Sequence, residues 1–415
     1  MFFLYQIIIS IILLLSPLII LFRILKNKED IIRFKEKFCL FSKTRVKGKL
    51  IWLHAASVGE LISLIPIINQ LEKNISIKQI LVTTNTLTSS KVFKKYKFKK
   101  TIHQFFPIDH LLLTNKFLKY WKPHFSIFVD SEIWPSMTLN LKKNKIPLIL
   151  LNARITKKSF KRWVKFNNFA KNIFNKITIA YPQNKETKYY LNKLQVKKIK
   201  EIGNLKLIEN IQDKKNYINS RLHSQFKKYS VWTAASTHKN EEIFCANTHV
   251  QLKKKISNLL TIIIPRDINR VNEIINQMQL LNLKVATHSL QLKSLKNIDI
   301  YIVDTFGETE KFFKISNSVF IGKTIAEKEK GGQNPLEAAR YGSKIFHGPS
   351  IENFPDIFKL LKNLNISKEI RSSQKLASLI SFKKKTRGSI KLRKIGRLIQ
   401  KKTLKELQPF INNEP

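Results

Sequence analysis

Two carboxylates set the chemistry this chain can offer. Glu60 closes the run Ala56-Ser57-Val58-Gly59-Glu60, between an apolar stretch from Lys49 to Ala55 and a helix-like run from Leu61 to Leu71. A carboxylate at such a strand-to-helix turn, beside a glycine where a ligand can approach the backbone, suits a general base that takes a proton from an attacking sugar hydroxyl. The spacing of Ser57 and Glu60 is also that of a capping box, and the residues alone leave both readings open. The second feature is Asp130-Ser131-Glu132-Ile133-Trp134-Pro135, which ends another apolar run. No partnering His or Asp spacing makes Asp130 and Glu132 a metal site. Hydrogen bonding to hydroxyls or to Arg154, or support of the neighbouring loop, is the reading they favour.

A second group of residues suits anions. Arg266 and Arg270 follow the apolar stretch from Leu260 to Pro265, and arginine forks match phosphate and carboxylate. Ser236, Thr237 and His238 add hydroxyl and imidazole donors, and Lys206 follows Gly203-Asn204-Leu205. Gly331-Gly332-Gln333-Asn334-Pro335-Leu336-Glu337 reads as a glycine turn entering a helix, with Asn334 as N-cap, Pro335 first in the helix and Glu337 three residues after the cap. Such a helix start can bind phosphate or a sugar nucleotide. Glu337 completing a capping box is the plainer alternative.

These residues need strand ends to hold them. Apolar runs at 49–55, 79–84, 126–130, 146–151 and 177–181 alternate with helical stretches, the signature of a mostly parallel sheet with ligands beyond its carboxyl ends. The pattern weakens over 205–228 and restarts at 230–234, 260–265, 299–303, 318–321 and 344–346. The expectation is therefore α/β, with two Rossmann-like domains facing a cleft. The segments are a membrane helix at 1–22, a first domain at 30–209, a second at 229–380 and a basic, helical tail at 381–415. No Gly-x-Gly-x-x-Gly follows the first strand and no P-loop is present. Phe2 to Phe22 is almost wholly apolar and about 30 Å long as a helix. Arg23, Lys26 and Lys28 follow it, so the positive-inside rule predicts a single-pass anchor with the rest of the chain in the cytoplasm. The tail from Lys383 to Lys405 mixes lysine and arginine with Leu392, Ile395, Leu398 and Ile399, which suits either anionic lipid or packing with a solvated basic face.

The net charge of +48 admits nucleic acid, an anionic membrane or anionic substrates. Lysine is scattered among abundant isoleucine and asparagine, and no compact nucleic-acid motif accompanies it, so nucleic acid is not the expected partner. Two cysteines, Cys39 and Cys245, make neither a disulfide framework nor a metal cluster.

In order along the chain, His54 to Glu60, Ser131 to Pro135, Asn152-Ala153-Arg154, Gly203 to Lys206, Ser236-Thr237-His238 with Glu241-Glu242, Pro265-Arg266, Gly331 to Glu337, Gly348-Pro349 and Asn353-Phe354 resemble the motifs of bacterial 3-deoxy-D-manno-octulosonic acid (Kdo) transferases. The resemblance implies a GT-B fold and inverting transfer of Kdo from CMP-Kdo to the tetraacylated, bis-phosphorylated lipid A precursor. It implies Glu60 as general base and Ser57, Asp130, Glu132 and Arg154 as acceptor-side or structural residues. Donor binding falls to Lys206, Ser236, Thr237, Arg266, Gly331, Gly332, Asn334 and Glu337. No cofactor, metal or obligate protein partner is implied, and the location is the inner membrane with its anionic surface. Another membrane-associated GT-B glycosyltransferase is the alternative. Some residues depart from the family pattern. Asp130 and Ser131 stand for glutamate and threonine, Asp267 for histidine and Gln333 for histidine. Asn240 stands where glycine is common, and Lys323-Thr324 where Gly-Ser often follows a strand.

Overall fold

A computed structural model describes residues 1–209, 217–290, 294–325, 331–383 and 387–412. Lys384 and Lys385 of the expected tail, and 210–216 of the expected domain junction, lie outside the described residues. The chain divides into two compact units, Met1–Asn210 with Gly396–Pro415, and Ile211–Ile395.

The first unit is built on six strands: β1 (Lys49–His54), β2 (Ile77–Thr84), β3 (Thr101–Phe105), β4 (Phe125–Val129), β5 (Leu148–Ala153) and β6 (Ile179–Pro182). Their order is β3-β2-β1-β4-β5-β6, and each pairing is parallel. The apolar runs form interior strands because both faces are covered, which rewards continuous Ile, Leu, Val and Phe rather than alternation. Trp52, Phe117, Trp121 and Phe128 are fully buried in the resulting core.

The second unit has seven strands: β7 (Ser230–Thr237), β8 (Leu259–Pro265), β9 (Val285–Thr287), β10 (Ile300–Ile302), β11 (Ser318–Ile321), β12 (Lys344–His347) and β13 (Ser367–Glu369). The order is β13-β12-β11-β7-β8-β10-β9, again parallel throughout. Alternate residues feed two cores. Trp232, Ile263 and Ile302 belong to one, and Val231, Ile262 and Tyr301 to the other. That two-residue period is the geometry of a sheet with a packed layer on each face. Each unit is thus a Rossmann-like parallel sheet, and together they are the two parts of a GT-B fold.

Two helices outside the sheets matter for function. Helix α1 (Phe2–Leu25) is long and apolar enough to cross a membrane. It continues through Pro17, whose missing N–H would leave the Leu13 carbonyl unpaired; the Ser16 hydroxyl donates to that carbonyl at 2.6 Å. The last helix, Gly388–Asn412, contributes Gly396, Ile399, Thr403, Leu407 and Ile411 as a buried stripe at helical spacing. Phe410 packs on Phe125 with centroids 5.8 Å apart, and Glu406 takes the Tyr181 hydroxyl at 3.0 Å and the Lys200 ammonium at 2.8 Å. Of the apolar residues of the expected tail, Leu392 and Ile399 are buried and Leu398 is half exposed. From Gly396 onward, packing on the first unit takes the apolar side of this helix and leaves most of its lysines in solvent.

Candidate active site

In the first unit the chemistry gathers where β1, β4 and β5 end. Helix α2 (Val58–Leu71) begins just after β1, with Ser57 as its N-cap. The capping box is formed: the Glu60 N–H donates to Ser57 Oγ at 3.4 Å, and Glu60 Oε2 accepts from the Ser57 N–H at 3.4 Å and, more closely, from the Ala56 N–H at 2.8 Å. Ser57 Oγ also donates to Glu60 Oε1 at 2.8 Å. The two readings of Glu60 are therefore compatible, because the box fixes the rotamer a base would need. Burial raises the Glu60 pKa above the ordinary carboxylate range, and the charges of Glu132 and Asp130 raise it further, against the Ser57 and Ala56 hydrogen bonds.

Glu132 lies beyond β4. Its Oε2 accepts from Trp134 Nε1 at 2.9 Å and sits 3.4 Å from Nε2 of the fully buried His54. His54 Nδ1 is 2.9 Å from Thr83 Oγ1, so the last side chain of β1 joins β2 to Glu132. The ring lies tilted against Phe106 with centroids 4.0 Å apart, and Phe106 in turn lies 5.2 Å from Trp134. Asp130 sits in the left-handed region at φ 61°, which turns the chain as β4 ends. Its Oδ2 meets Lys206 Nζ at 3.3 Å, and its buried Oδ1 has no hydrogen-bond partner among the described residues. Lys206 is brought there by Asn152, at the end of β5, whose Oδ1 accepts the Leu205 N–H at 2.9 Å.

Arg154 does not hold the two acids as the sequence suggested. Its backbone N–H donates to Asp130 O at 3.0 Å, while Lys206 takes Asp130 and Trp134 takes Glu132. Asp130 meets Lys206, a residue the sequence groups with donor binding.

The second unit gathers Ser236, Thr237, Gly331, Gly332, Asn334 and Glu337 around the ends of β7 and β11. Its organiser is Glu241, which the sequence reading had not placed in the site. The nearly fully buried Glu241 carboxylate accepts four backbone N–H groups: His238 at 2.9 Å, Lys323 at 2.7 Å, Thr324 at 2.8 Å and Ile325 at 3.1 Å. The helix of Glu241 starts from Asn240, left-handed at φ 73°. Lys323 is also left-handed, at φ 57°. Both positions are where the family commonly has glycine, and the backbone shows why: only glycine adopts that region without a steric cost, with asparagine next best. Lys323→Gly is expected to stabilise the second unit by about 0.5–1 kcal/mol net of glycine's greater unfolded-state entropy. Thermal melting monitored by near-ultraviolet circular dichroism reads this; a lower midpoint counts against it.

Close approach knits these loops. A Cβ on Gly322 would meet Ser236 O at 2.2 Å, and one on Gly348 would meet Thr324 O at 2.2 Å. Gly332 N donates to Lys323 O at 2.5 Å, Gln333 N to Gly322 O at 3.3 Å and Gly331 N to Glu352 Oε2 at 3.0 Å. The expected helix start is present but short. The helix is Leu336–Arg340, Pro335 occupies the cap position, and Asn334 Oδ1 accepts from the Leu336 N–H at 3.1 Å. A helix of five residues has little dipole, so any anion held here would rest on individual N–H groups. Glu337 is exposed and forms no capping box with Asn334. Arg266 is exposed beyond β8. Arg270, grouped with it in the sequence reading, is instead engaged by the buried Glu242 at 3.1 Å and by Glu273 at 3.2 Å.

Comparison with known proteins agrees with this architecture. Residues 32–208 match the profile of the family described as 3-deoxy-D-manno-octulosonic-acid transferase (kdotransferase). The 3-deoxy-D-manno-octulosonic acid transferase of Rickettsia bellii is 32% identical over 88% of this chain and 86% of its own. A probable mitochondrial transferase of the same name from Arabidopsis thaliana is 30% identical over 87% of this chain and 83% of its own. Among solved structures, a glycosyltransferase of Rickettsia africae superposes with a TM-score of 0.56 at 13% identity, covering 89% of this chain and all of that one. The UDP-GlcNAc 2-epimerase of Neisseria meningitidis gives 0.56 at 14% identity, over 87% of this chain and all of that one. The last two share the fold alone. With relatives at 30–32% identity matched over more than four fifths of both chains, this chain belongs to the 3-deoxy-D-manno-octulosonic acid transferase family and is an enzyme of that type.

Proposed function

We propose that the chain moves Kdo from CMP-Kdo to a hydroxyl of the tetraacylated, bis-phosphorylated lipid A precursor, with inversion at the anomeric carbon. The observation that carries the reading is the Glu60 carboxylate, locked by Ser57 and Ala56 and raised in pKa by burial beside Glu132 and Asp130. Glu60 takes the acceptor hydroxyl proton as that oxygen bonds to the anomeric carbon. The bond from that carbon to the CMP phosphate oxygen breaks, and CMP leaves with the electron pair as a phosphate monoester anion. Lys206, Asp130, Glu132 and Arg154 serve the acceptor side. Ser236, Thr237, Arg266, Gly331, Gly332, Asn334 and Glu337 serve the donor, on loops held by Glu241. The enzyme works at the inner membrane, with both units on the cytoplasmic side, where an excess of lysine and arginine meets anionic lipid and an anionic acceptor.

The test is CMP release from CMP-Kdo by purified full-length chain, with and without the lipid acceptor, followed by product mass. Release that needs the acceptor, with a product heavier by Kdo, supports the reading. Absence of release across detergents, or release with a different nucleotide sugar, overturns it. The electrostatics add a pH prediction. Glu60 must be ionised to accept a proton, so its raised pKa moves the acid limb of kcat/KM above that of an ordinary carboxylate. Glu132→Gln removes a repelling negative charge and should move that limb to lower pH. A limb that stays in place rules out this coupling.

A further inference from the structure

The contacts of α1 say how it meets the membrane. One face of the helix is the more covered one: Ser16 and Ile20 are buried, and Tyr5, Ile9, Leu13 and Ile24 are partly buried at the same three- and four-residue spacing. At its start, Tyr5 Oη donates to Asp109 Oδ2 at 2.6 Å and Gln6 Nε2 donates to Ser136 Oγ at 2.8 Å. Asp109 is nearly fully buried and also accepts the N–H groups of Ser136 at 2.9 Å and Met137 at 2.8 Å. At the other end, Arg23 Nε meets Glu29 Oε2 at 3.0 Å, and the chain runs on to Glu36, which takes the Phe105 N–H at 2.8 Å. The start of α1 therefore holds the first unit directly, and its end is followed by a short segment whose Glu36 holds that same unit.

That arrangement conflicts with crossing. A helix of 24 residues is about 36 Å long, and a spanning one carries its ends to opposite sides of roughly 30 Å of hydrocarbon. Here the Phe2 end would have to take Asp109, Ser136 and the loop before them across with it.

The uncovered face has one suitable occupant. Phe3, Leu14, Leu18 and Phe22 stand out from it, and no charged residue interrupts 2–22. The apolar surface continues past the helix start, since Phe169 lies 6.4 Å from Phe2 and 6.3 Å from Trp163. Trp163 belongs to a helix, Lys157–Val164, with no buried residue and with Lys157, Lys158, Lys161 and Arg162 around its apolar side chains. A broad apolar face rimmed by cations and a tryptophan matches the interfacial zone of an anionic bilayer.

We propose that α1 lies within one leaflet of an anionic bilayer, parallel to its plane, with its Tyr5–Ile24 face on the first unit and its opposite face in hydrocarbon, and that it does not cross. Gln6 and Asp109 grip the start of the helix Pro135–Lys143, immediately after Glu132 and Trp134, so the leaflet-facing helix and the acceptor-side acids share one support. The inference does not rest on the proposed sugar chemistry, and its test reads location rather than turnover.

Two single cysteines, one in a short extension ahead of Met1 and one as Lys28→Cys, are probed with a membrane-impermeant maleimide in spheroplasts and in inverted inner-membrane vesicles. The native chain is the blank, since Cys39 and Cys245 are buried. Both sites should label in inverted vesicles and neither in spheroplasts. Labelling of the extension from the spheroplast side means a single crossing and overturns the proposal. In a second experiment, the full chain is sedimented with phosphatidylglycerol-containing vesicles. Leu14→Lys with Leu18→Lys, at positions 80% and 68% exposed, should leave the melting midpoint unchanged and lower the vesicle-bound fraction about tenfold. Undiminished binding by that variant, or a native chain that stays in solution as a dimer, also overturns it.

Discussion

Glu60→Gln is expected to lower transfer by roughly 10²-fold or more while leaving the fold and CMP-Kdo affinity nearly unchanged. The argument rests on the separation of two roles that share one side chain. A glutamine oxygen can still accept the Ser57 and Ala56 N–H groups, so the capping box survives. What disappears is the ability to take a proton. Ser57→Ala makes the complementary change: it removes the N-cap, at a cost of about 0.5–2 kcal/mol, and frees the Glu60 carboxylate from one of its two tethers. Turnover by Ser57→Ala should fall less than by Glu60→Gln, although its melting midpoint falls more. Rapid-quench measurement of Kdo transfer, with donor titration by calorimetry, separates these effects. Near-native turnover by Glu60→Gln leaves the carboxylate with capping alone.

The largest stability effect is expected at Glu241→Ala. Four backbone N–H groups from two distant segments lose their acceptor together, and a small buried side chain offers nothing in return. An unsatisfied buried donor costs about 1–3 kcal/mol, and charge-assisted bonds lie toward the upper end. Partial relaxation and water entry reduce the sum, so about 3–5 kcal/mol is expected for the second unit. Glu241→Gln retains one acceptor oxygen and should lose less. The direct readout is amide hydrogen exchange at His238, Lys323, Thr324 and Ile325, which should accelerate at least tenfold in Glu241→Ala. Equal protection in the variant and the native chain rules out the role given to this carboxylate. Donor affinity should fall in parallel, because the loops carrying Ser236, Thr237 and Gly331 are joined to the same backbone.

The interior of both sheets was legible in the sequence because burial on two faces demands continuous apolar runs. The strands it did not reveal, Thr101–Phe105, Val285–Thr287 and Ser367–Glu369, are all edge strands. These three are short or interrupted by polar residues, at Thr101, His103 and Gln104, at Thr287, and at Ser367, Lys368 and Glu369, and so carry no continuous apolar run to find. The site divides in the same way. Glu60, Asp130, Glu132 and Asn334 announce themselves by type and local spacing. Glu241 does not, since its function is the meeting of N–H groups more than eighty residues apart. His54 was visible as the first residue of a motif, but its contact with Glu132 depends on the order in which β1 and β4 lie side by side. The glycine-like positions of Asn240 and Lys323 are equally silent in type. Their φ values supply the reason that the sequence lacks.

The return of the last helix to the first unit has a consequence for the birth of the protein. Synthesis delivers residues 1–210, then the whole of Ile211–Ile395, and only then the segment that covers Phe125, Gly203 and Tyr181. At roughly 5–20 residues per second the intervening stretch occupies the ribosome for on the order of 10–40 s. For that interval the nascent first unit exposes an apolar seat that its own chain has yet to fill. The two units are successive in folding but not independent, and the first becomes complete only when translation ends.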